Sequence, residues 1–369
     1  MIIDRTEEFF KAFHSQENDG GSIILERKFS KGIRRSRITS TDLEKISNSA
    51  CGLNDIYFST ASFKGRPLTV NFARTNCLHL QVPENNNRTY LDLTTRLANI
   101  KGIPFPTLAI SDGEFLTLLW MLDAPITSKE FYIYSILQQC LYEIAEEFSP
   151  LEHNLEISFL TRVVGSVNSN NRKNVVIARN YGKTHNLQHL KKILLSTTTS
   201  ISASKFNQLQ MQAGITLELL SLLDSRWFGT AQHPELFQDW LIFFGASLCN
   251  FCTKEQLKNE LKAIAESLEA QPWKMIGNDY KNLIESISAT AKDGYIDFDG
   301  FSYAINYPHW ADLIQGRLQI SNFETDSLNL QTLSGKSEIS PYLHDKIKGT
   351  IALGLNDFVP VTRLLLKTG

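Results

Sequence analysis

The sequence has no apolar run near the roughly 18 residues that a membrane-spanning helix requires. Its first residues, MIIDRTEEFFKAF, are acidic and amphipathic. They lack the basic start and apolar core of a secretory signal, so the expected location is cytoplasmic, with no membrane partner. An excess of one charge is also missing: 37 Lys and Arg stand against 39 Asp and Glu, a formal net charge of −2. That balance gives no global attraction to a polyanion, so nucleic-acid binding would have to come from local basic patches. Cysteine is scarce, with 5 in 369 residues, and an odd, scattered set fits a reducing compartment rather than a disulfide framework. Cys249 and Cys252 form a lone Cys-x-x-Cys with no second pair at zinc spacing, and read as core thiols. The acids at Asp293, Asp297 and Asp299 lack calcium-loop spacing and a closing Glu, so a β-turn is the better reading there. No Gly-rich phosphate loop is present, which sets aside a self-contained ATPase or helicase. There is no internal repeat.

What is present divides the chain. Hydrophobic residues at 42% and charged residues at 21% make a globular composition, and 369 residues leave room for two domains. Residues 1–185 mix β-prone runs with helical patterns. Residues 186–204 end in LLSTTTSISAS and read as a linker, and residues 205–369 are mainly helical. In that last part, apolar positions between Phe206 and Leu223, the aromatic run Pro234 to Phe251, and Leu257, Leu261, Ile264 and Leu268 behind a Thr253/Gln256 capping box trace successive helices. Segments 280–290 and 308–318 complete a bundle. Residues 318–333 form a small helical unit that either contacts DNA or packs.

In the first part, Phe9, Phe10 and Phe13 mark a short docked helix. Ile23 to Phe29 reads as a strand running into Lys31-Gly-Ile-Arg34-Arg35-Ser-Arg37, the densest basic run in the chain. Arg34, Arg35 and Arg37 suit either a phosphate-contacting hairpin or a solvated one, since Arg forks match phosphate oxygens. Leu78, Leu80 and Val82 alternate with His79 and Gln81, a period-two strand. Residues 88–100 carry helical spacing. Thr107 to Ile110 and Phe115 to Leu122 form a hairpin, with Asp112-Gly113 as the central dipeptide of a turn needing φ > 0. Thr127 and Glu130 make a capping box for a helix reaching about Phe148.

Tyr57-Phe58-Ser59 with Phe63, then Pro104 to Trp120, then Arg162 to Asn168 resemble, in that order, the motifs of the archaeo-eukaryotic primase family. The resemblance is to its RepB-like branch from plasmids and mobile elements, and covers roughly residues 54–179. It implies an α+β fold: a primase-like two-layer mixed-sheet domain followed by a mainly α-helical C-terminal domain. In the family an Asp-x-Asp pair on a strand and a third acid hold Mg or Mn. Two carboxylates two apart on a strand point the same way and can share divalent cations. The matching positions here are His79, Gln81 and Glu156, so the implied metal site is degenerate. An alternative placing at Asp92 and Thr94 falls inside the helical pattern. Thr117 stands where the family has a His or Gln facing nucleotide phosphates. Arg162 corresponds to an anion clamp. Ser111, Gly113, Gly165, Ser166 and Asn168 are the implied nucleotide or nucleic-acid partners, with Arg172 and Lys173 on a basic rim.

Such a transfer site needs about three well-placed carboxylates, and Glu156 is the one carboxylate at a matching position. The expected function is therefore a nucleic-acid-binding replication protein of a plasmid or mobile element, with catalysis weakened or lost. An active DNA primase or polymerase using Mg or Mn and nucleotides is the alternative, and an unrelated α+β interaction module is the third reading. The expected partners are single-stranded or primer-template DNA and a replication helicase or other element-encoded protein.

Overall fold

The computed structural model describes residues 2–3, 21–29, 32–38, 52–84, 87–149, 151, 155–171, 176–180, 184–198, 202–227, 236–269, 279–298, 300–305 and 309–334. Arg172, Lys173 and the expected helix around Phe9 lie outside these residues. The chain divides into two compact units, Met1–Pro67 with Asn71–Ala203, and Leu68–Val70 with Ser204–Gly369. The architecture is α+β: an antiparallel sheet with helices, then a mainly helical unit.

Nine strands form the sheet of the first unit: β1 (Ile2–Ile3), β2 (Ser22–Phe29), β3 (Gly32–Ile38), β4 (Ile56–Phe63), β5 (Phe72–Pro83), β6 (Leu108–Ser111), β7 (Phe115–Thr127), β8 (Leu160–Arg162) and β9 (Ile177–Asn180). Their order is β1-β9-β6-β7-β5-β4-β2-β3, with β8 paired to β4 off this path. A mixed sheet is expected from the resemblance, yet every ladder among the described strands is antiparallel. The parallel pairings are isolated bridges, Asn54 with Val167 and Leu122 with His185.

Strand β4 is shared. Its Phe63 end pairs with β5 through Ala61↔Thr75, Ser62↔Arg74 and Phe63↔Phe72. Its Ile56 end pairs instead with β8 through Tyr57↔Arg162, Phe58↔Thr161 and Ser59↔Leu160. The sheet therefore forks beyond Thr75, and β5 has backbone groups on that side without a strand to meet them. Helix α1 (Asn87–Lys101) connects β5 to β6, and α2 (Phe131–Glu146) follows β7. The Thr127/Glu130 capping box is present and closes a short 3-10 turn, Ser128–Glu130, directly before α2. Side chains of α2 take up the open edge of β5: His79 N–H donates to Gln138 Oε1 at 3.1 Å, Gln138 Nε2 donates to His79 O, and Gln81 N–H donates to Tyr142 Oη at 3.2 Å. A buried backbone group left unpaired costs about 1–3 kcal/mol, which explains a fully buried Gln and Tyr on an otherwise apolar helix face.

The β6–β7 hairpin supplies the centre of the core. Trp120 is buried, and its indole N–H donates to Pro104 O at 2.7 Å. The turn differs from expectation by one residue. Asp112 N–H donates to Phe115 O at 3.1 Å, making Gly113 and Glu114 the central pair, and only Gly113 takes positive φ, at 80°. Asp112 instead closes the turn with its side chain, Oδ1 accepting from Glu114 and Phe115 N–H at 2.9 and 2.7 Å. The segment expected as a linker begins with helix α3 (Leu187–Thr197), capped by Asn186 and burying Leu187, Leu190 and Leu194.

The second unit contains α4 (Ala203–Trp227), α5 (Phe237–Leu248), α6 (Lys254–Glu269), α7 (Asp279–Lys292), the hairpin β10 (Tyr295–Phe298) with β11 (Phe301–Ala304), α8 (Trp310–Arg317) and α9 (Asn322–Ser327). Phe243 packs against Phe298 and Trp310 at centroid distances of 5.5 and 6.2 Å. Residues 318–333 pack: Leu330 and Leu333 are buried, Arg226 makes a two-pronged pair with Glu324, and Glu218 accepts the N–H groups of Thr332 and Leu333. Leu68–Val70 belongs to this unit, where the fully buried Glu260 carboxylate accepts from the N–H of Thr69 and, at 3.2 Å, of Val70. Among the described residues no helix is long and apolar enough to cross a membrane.

Candidate functional site

Strand alternation places Cys77, His79 and Gln81 on one face of β5, and their opposed partners on β7 are Met121, Leu119 and Thr117. The sequence-expected His79, Gln81 and Thr117 thus share a face, with Thr117 directly across from Gln81. His79 is completely buried. Its ring stacks on Phe159 at 3.9 Å with 6° between planes, and its Nδ1 lies 3.3 Å from the Tyr134 hydroxyl. Tyr142 completes the enclosure edge-on at 6.2 Å. Glu156 sits at the start of the turn that delivers Phe159. Its main-chain O is 3.5 Å from the Tyr134 hydroxyl, and its carboxylate accepts from Ser158 Oγ at 3.2 Å.

These residues do not fit the metal that the resemblance implies. Hard divalent cations prefer several oxygen anions. The three positions offer a stacked imidazole, an amide and one carboxylate. Among the described residues no group of three or more His, Cys, Asp or Glu side chains is placed to hold a metal ion.

A second constellation centres on Arg162, which is 4% exposed. Its Nε donates to Asp112 Oδ2 at 2.9 Å, Nη1 to Asp55 Oδ1 at 2.7 Å, and Nη2 to Asn168 Oδ1 at 2.9 Å. The guanidinium also lies 4.7 Å from the Tyr57 ring centroid. Arg162 is expected as a clamp for an external anion; instead its fork is closed by two carboxylates and an amide of its own chain. Asn168 is likewise spent: Oδ1 also accepts from Asn170 N–H and Nδ2 donates to Asp112 O at 2.9 Å. Ser166 is fully buried and donates to Val163 O at 2.7 Å. Gly165, at φ 89°, lets the chain turn so that Gly52 N–H reaches its carbonyl. Ser111 donates to Glu84 Oε2 at 2.6 Å, and Gly113 N–H donates to the same oxygen at 3.2 Å. The expected phosphate partners therefore converge, but as a self-satisfied network.

Sequence reasoning missed Asp55 and Glu84 as members of this network. Asp55 adopts φ 53°, a left-handed conformation that Asp tolerates when its surroundings hold it. Ser169 donates to its carboxylate through both N–H and Oγ. Burial would raise the Asp55 carboxyl, but hydrogen bonds from Ser169 and Arg162 outweigh it and leave the carboxyl below its ordinary range. Burial pushes the Tyr57 hydroxyl up to about 12, keeping the ring neutral beside Arg162 and Lys28, whose Nζ lies 4.4 Å from its centroid.

The β2–β3 hairpin holds the sequence-expected Arg34, Arg35 and Arg37 on β3, the outermost strand. All three are exposed. Arg35 pairs with the buried Glu26 at 2.8 Å. Arg34 and Arg37 make no ion pair with any described residue.

No family model matches the chain. It is 22% identical over 192 residues to a replication protein of Clostridium perfringens, a match covering 50% of this chain. The chain spans about half of that relative's length, 46%. Among solved structures it is similar to the archaeo-eukaryotic primase domain of the primase-polymerase of cyanophage S-2L. That similarity has 11% identity and a TM-score of 0.39, over 52% of this chain and 98% of the other.

Proposed function

We propose that this chain is a nucleic-acid-binding replication protein of a plasmid or mobile element, with a primase-like first unit whose nucleotidyl transfer is weakened or lost. Two things support the replication role: the ordered motif resemblance from Tyr57 to Asn168, and the similarity of half the chain to a protein named for replication. The observation that carries the loss of transfer is the burial of His79. At the strand position where the family needs a carboxylate, this chain has an imidazole stacked on Phe159 and sealed by two tyrosines. An electrostatic site for phosphoryl chemistry loses orders of magnitude in rate without its ligands. Local attraction to a polyanion is still available from the β2–β3 hairpin, whose exposed arginines concentrate positive charge in a chain of net charge −2. Single-stranded or primer-template DNA is the fitting partner, with an element-encoded helicase supplying the unwinding.

The test is binding and extension in the same tubes: labelled primer-template and single-stranded DNA, with and without Mg or Mn and nucleotides. The expected result is salt-sensitive binding indifferent to Mn, and no extension. Mn-dependent extension that disappears in Glu156→Ala would overturn the reading.

A further inference from the structure

On the β2–β3 hairpin, Arg27 and Arg34 are directly opposed across the two strands, and Phe29 lies two residues beyond Arg27 on the same face. Lys28, Arg35 and Arg37 project from the other face. Like charges directly opposite one another destabilise a ladder unless an anion lies between them. Neither arginine makes an ion pair with any described residue. Arg27 Nε is buried and has no hydrogen-bond partner among the described residues. The Arg27 guanidinium sits 4.7 Å from the Phe29 centroid, while that ring remains 47% exposed at the end of the strand. Ile56, opposed to Arg27 on its other side, is buried, so the stem of Arg27 starts on the core side of the sheet.

We propose that Arg27, Arg34 and Phe29 form a grip for single-stranded nucleic acid: the paired guanidinium groups take one backbone phosphate, and the free side of Phe29 stacks an adjacent base. The proposal rests on the nucleic-acid-binding reading above and gives it a place and a substrate form. Two opposed guanidinium forks offer one phosphate several charge-assisted donors. An exposed ring beside them takes unpaired bases, because every base has a π face, whereas a duplex hides those faces in its stack. Sequence reading finds Arg34 in the basic run but not Arg27, which lies in the preceding strand and meets Arg34 only through the register.

The experiment measures binding of the full chain to labelled oligothymidylate, to oligouridylate and to a duplex, across a salt series. Phe29→Ala is expected to weaken single-strand binding about tenfold, leaving the salt dependence and duplex binding unchanged, and Phe29→Trp to restore it. The Arg27→Gln, Arg34→Gln double variant is expected to lower the slope of log affinity against log salt by about 0.7, one phosphate's worth on a single strand. Lys262→Gln, at an exposed position on α6 of the second unit, should change affinity less than about twofold. A loss confined to oligouridylate supports the grip and assigns it to RNA; a loss confined to oligothymidylate supports it and assigns it to DNA. Wild-type binding untouched by the Arg27, Phe29 and Arg34 variants overturns the grip and leaves the broader reading standing. No binding by the wild type overturns both.

Discussion

Replacing Arg162 separates a structural lock from an anion clamp. The side chain is 4% exposed, and its three donor positions meet Asp112, Asp55 and Asn168. Removing one partner of a buried ion pair costs about 3–5 kcal/mol, because the other charge stays buried and unpaired. Here Asp55 and Asp112 side chains keep 16% and 13% exposure, and each retains other hydrogen bonds. That argues for the lower end, so Arg162→Ala is expected to destabilise the first unit by about 3 kcal/mol. Arg162→Lys keeps the charge, but a single ammonium cannot address three acceptors set for a planar fork. It should cost about 2 kcal/mol.

The pH dependence has a definite sign. In the wild type the Asp55 carboxyl is held below its ordinary range, so its contribution is complete above that range and fades as pH falls through the lowered value. Without Arg162, burial acts against less opposition and the carboxyl moves up. The gap between wild type and Arg162→Ala should therefore narrow on going from about pH 7 to about pH 3. Hydrogen exchange read by mass spectrometry on peptides from β4 and β8 measures it, since those strands carry the Tyr57↔Arg162 pairing. Unchanged protection in Arg162→Ala, with a large fall in DNA affinity, would refute the lock and restore the clamp.

Three further outcomes follow from the same geometry. Gln138→Ala removes both Gln138 hydrogen bonds to the His79 backbone and should cost about 2–5 kcal/mol in a denaturant titration; a cost below about 1 kcal/mol would mean water replaces the amide. Gly113→Ala forces a Cβ onto φ 80° and should destabilise by more than about 1 kcal/mol, measured as a shift in melting temperature. In the second unit, the Arg226 hydrogen bonds hold Glu324 down to about 2. Its stabilising share is full above the ordinary Glu range and is lost as pH falls toward about 2, so wild type and Glu324→Gln should converge in stability across that window.

Much of the fold is written in short-range patterns. The 107–122 hairpin, the capping box before α2, the helical spacing over 88–100 and the β2–β3 run can be read directly because each is set by residues within a few positions. What escaped reading depends on distant partners. Alternation shows that His79 and Gln81 share a face, but not that Gln138 and Tyr142, some sixty residues on, take their backbone. Arg162 and Asn168 are legible as a motif. The closure of Arg162 by Asp55 depends on one left-handed residue in a loop, for which composition gives no signal. Ser and Thr near residue 197 suggested a linker, while Leu187, Leu190 and Leu194 carried the helical period that α3 follows.

The three residues Leu68–Val70 bear on how such a protein could be inherited in pieces. They are encoded between two strands of the first unit, yet Glu260 of the second is built to cap their amides. The reading frame changes membership after Pro67, after Val70 and after Ala203, so no single breakpoint releases the second unit intact. A shuffled gene carrying only the segment from Ser204 onward would take the Thr69 and Val70 donors away from a fully buried carboxylate. Descendants of such an event should either keep the β4–β5 connection or show an apolar residue at position 260.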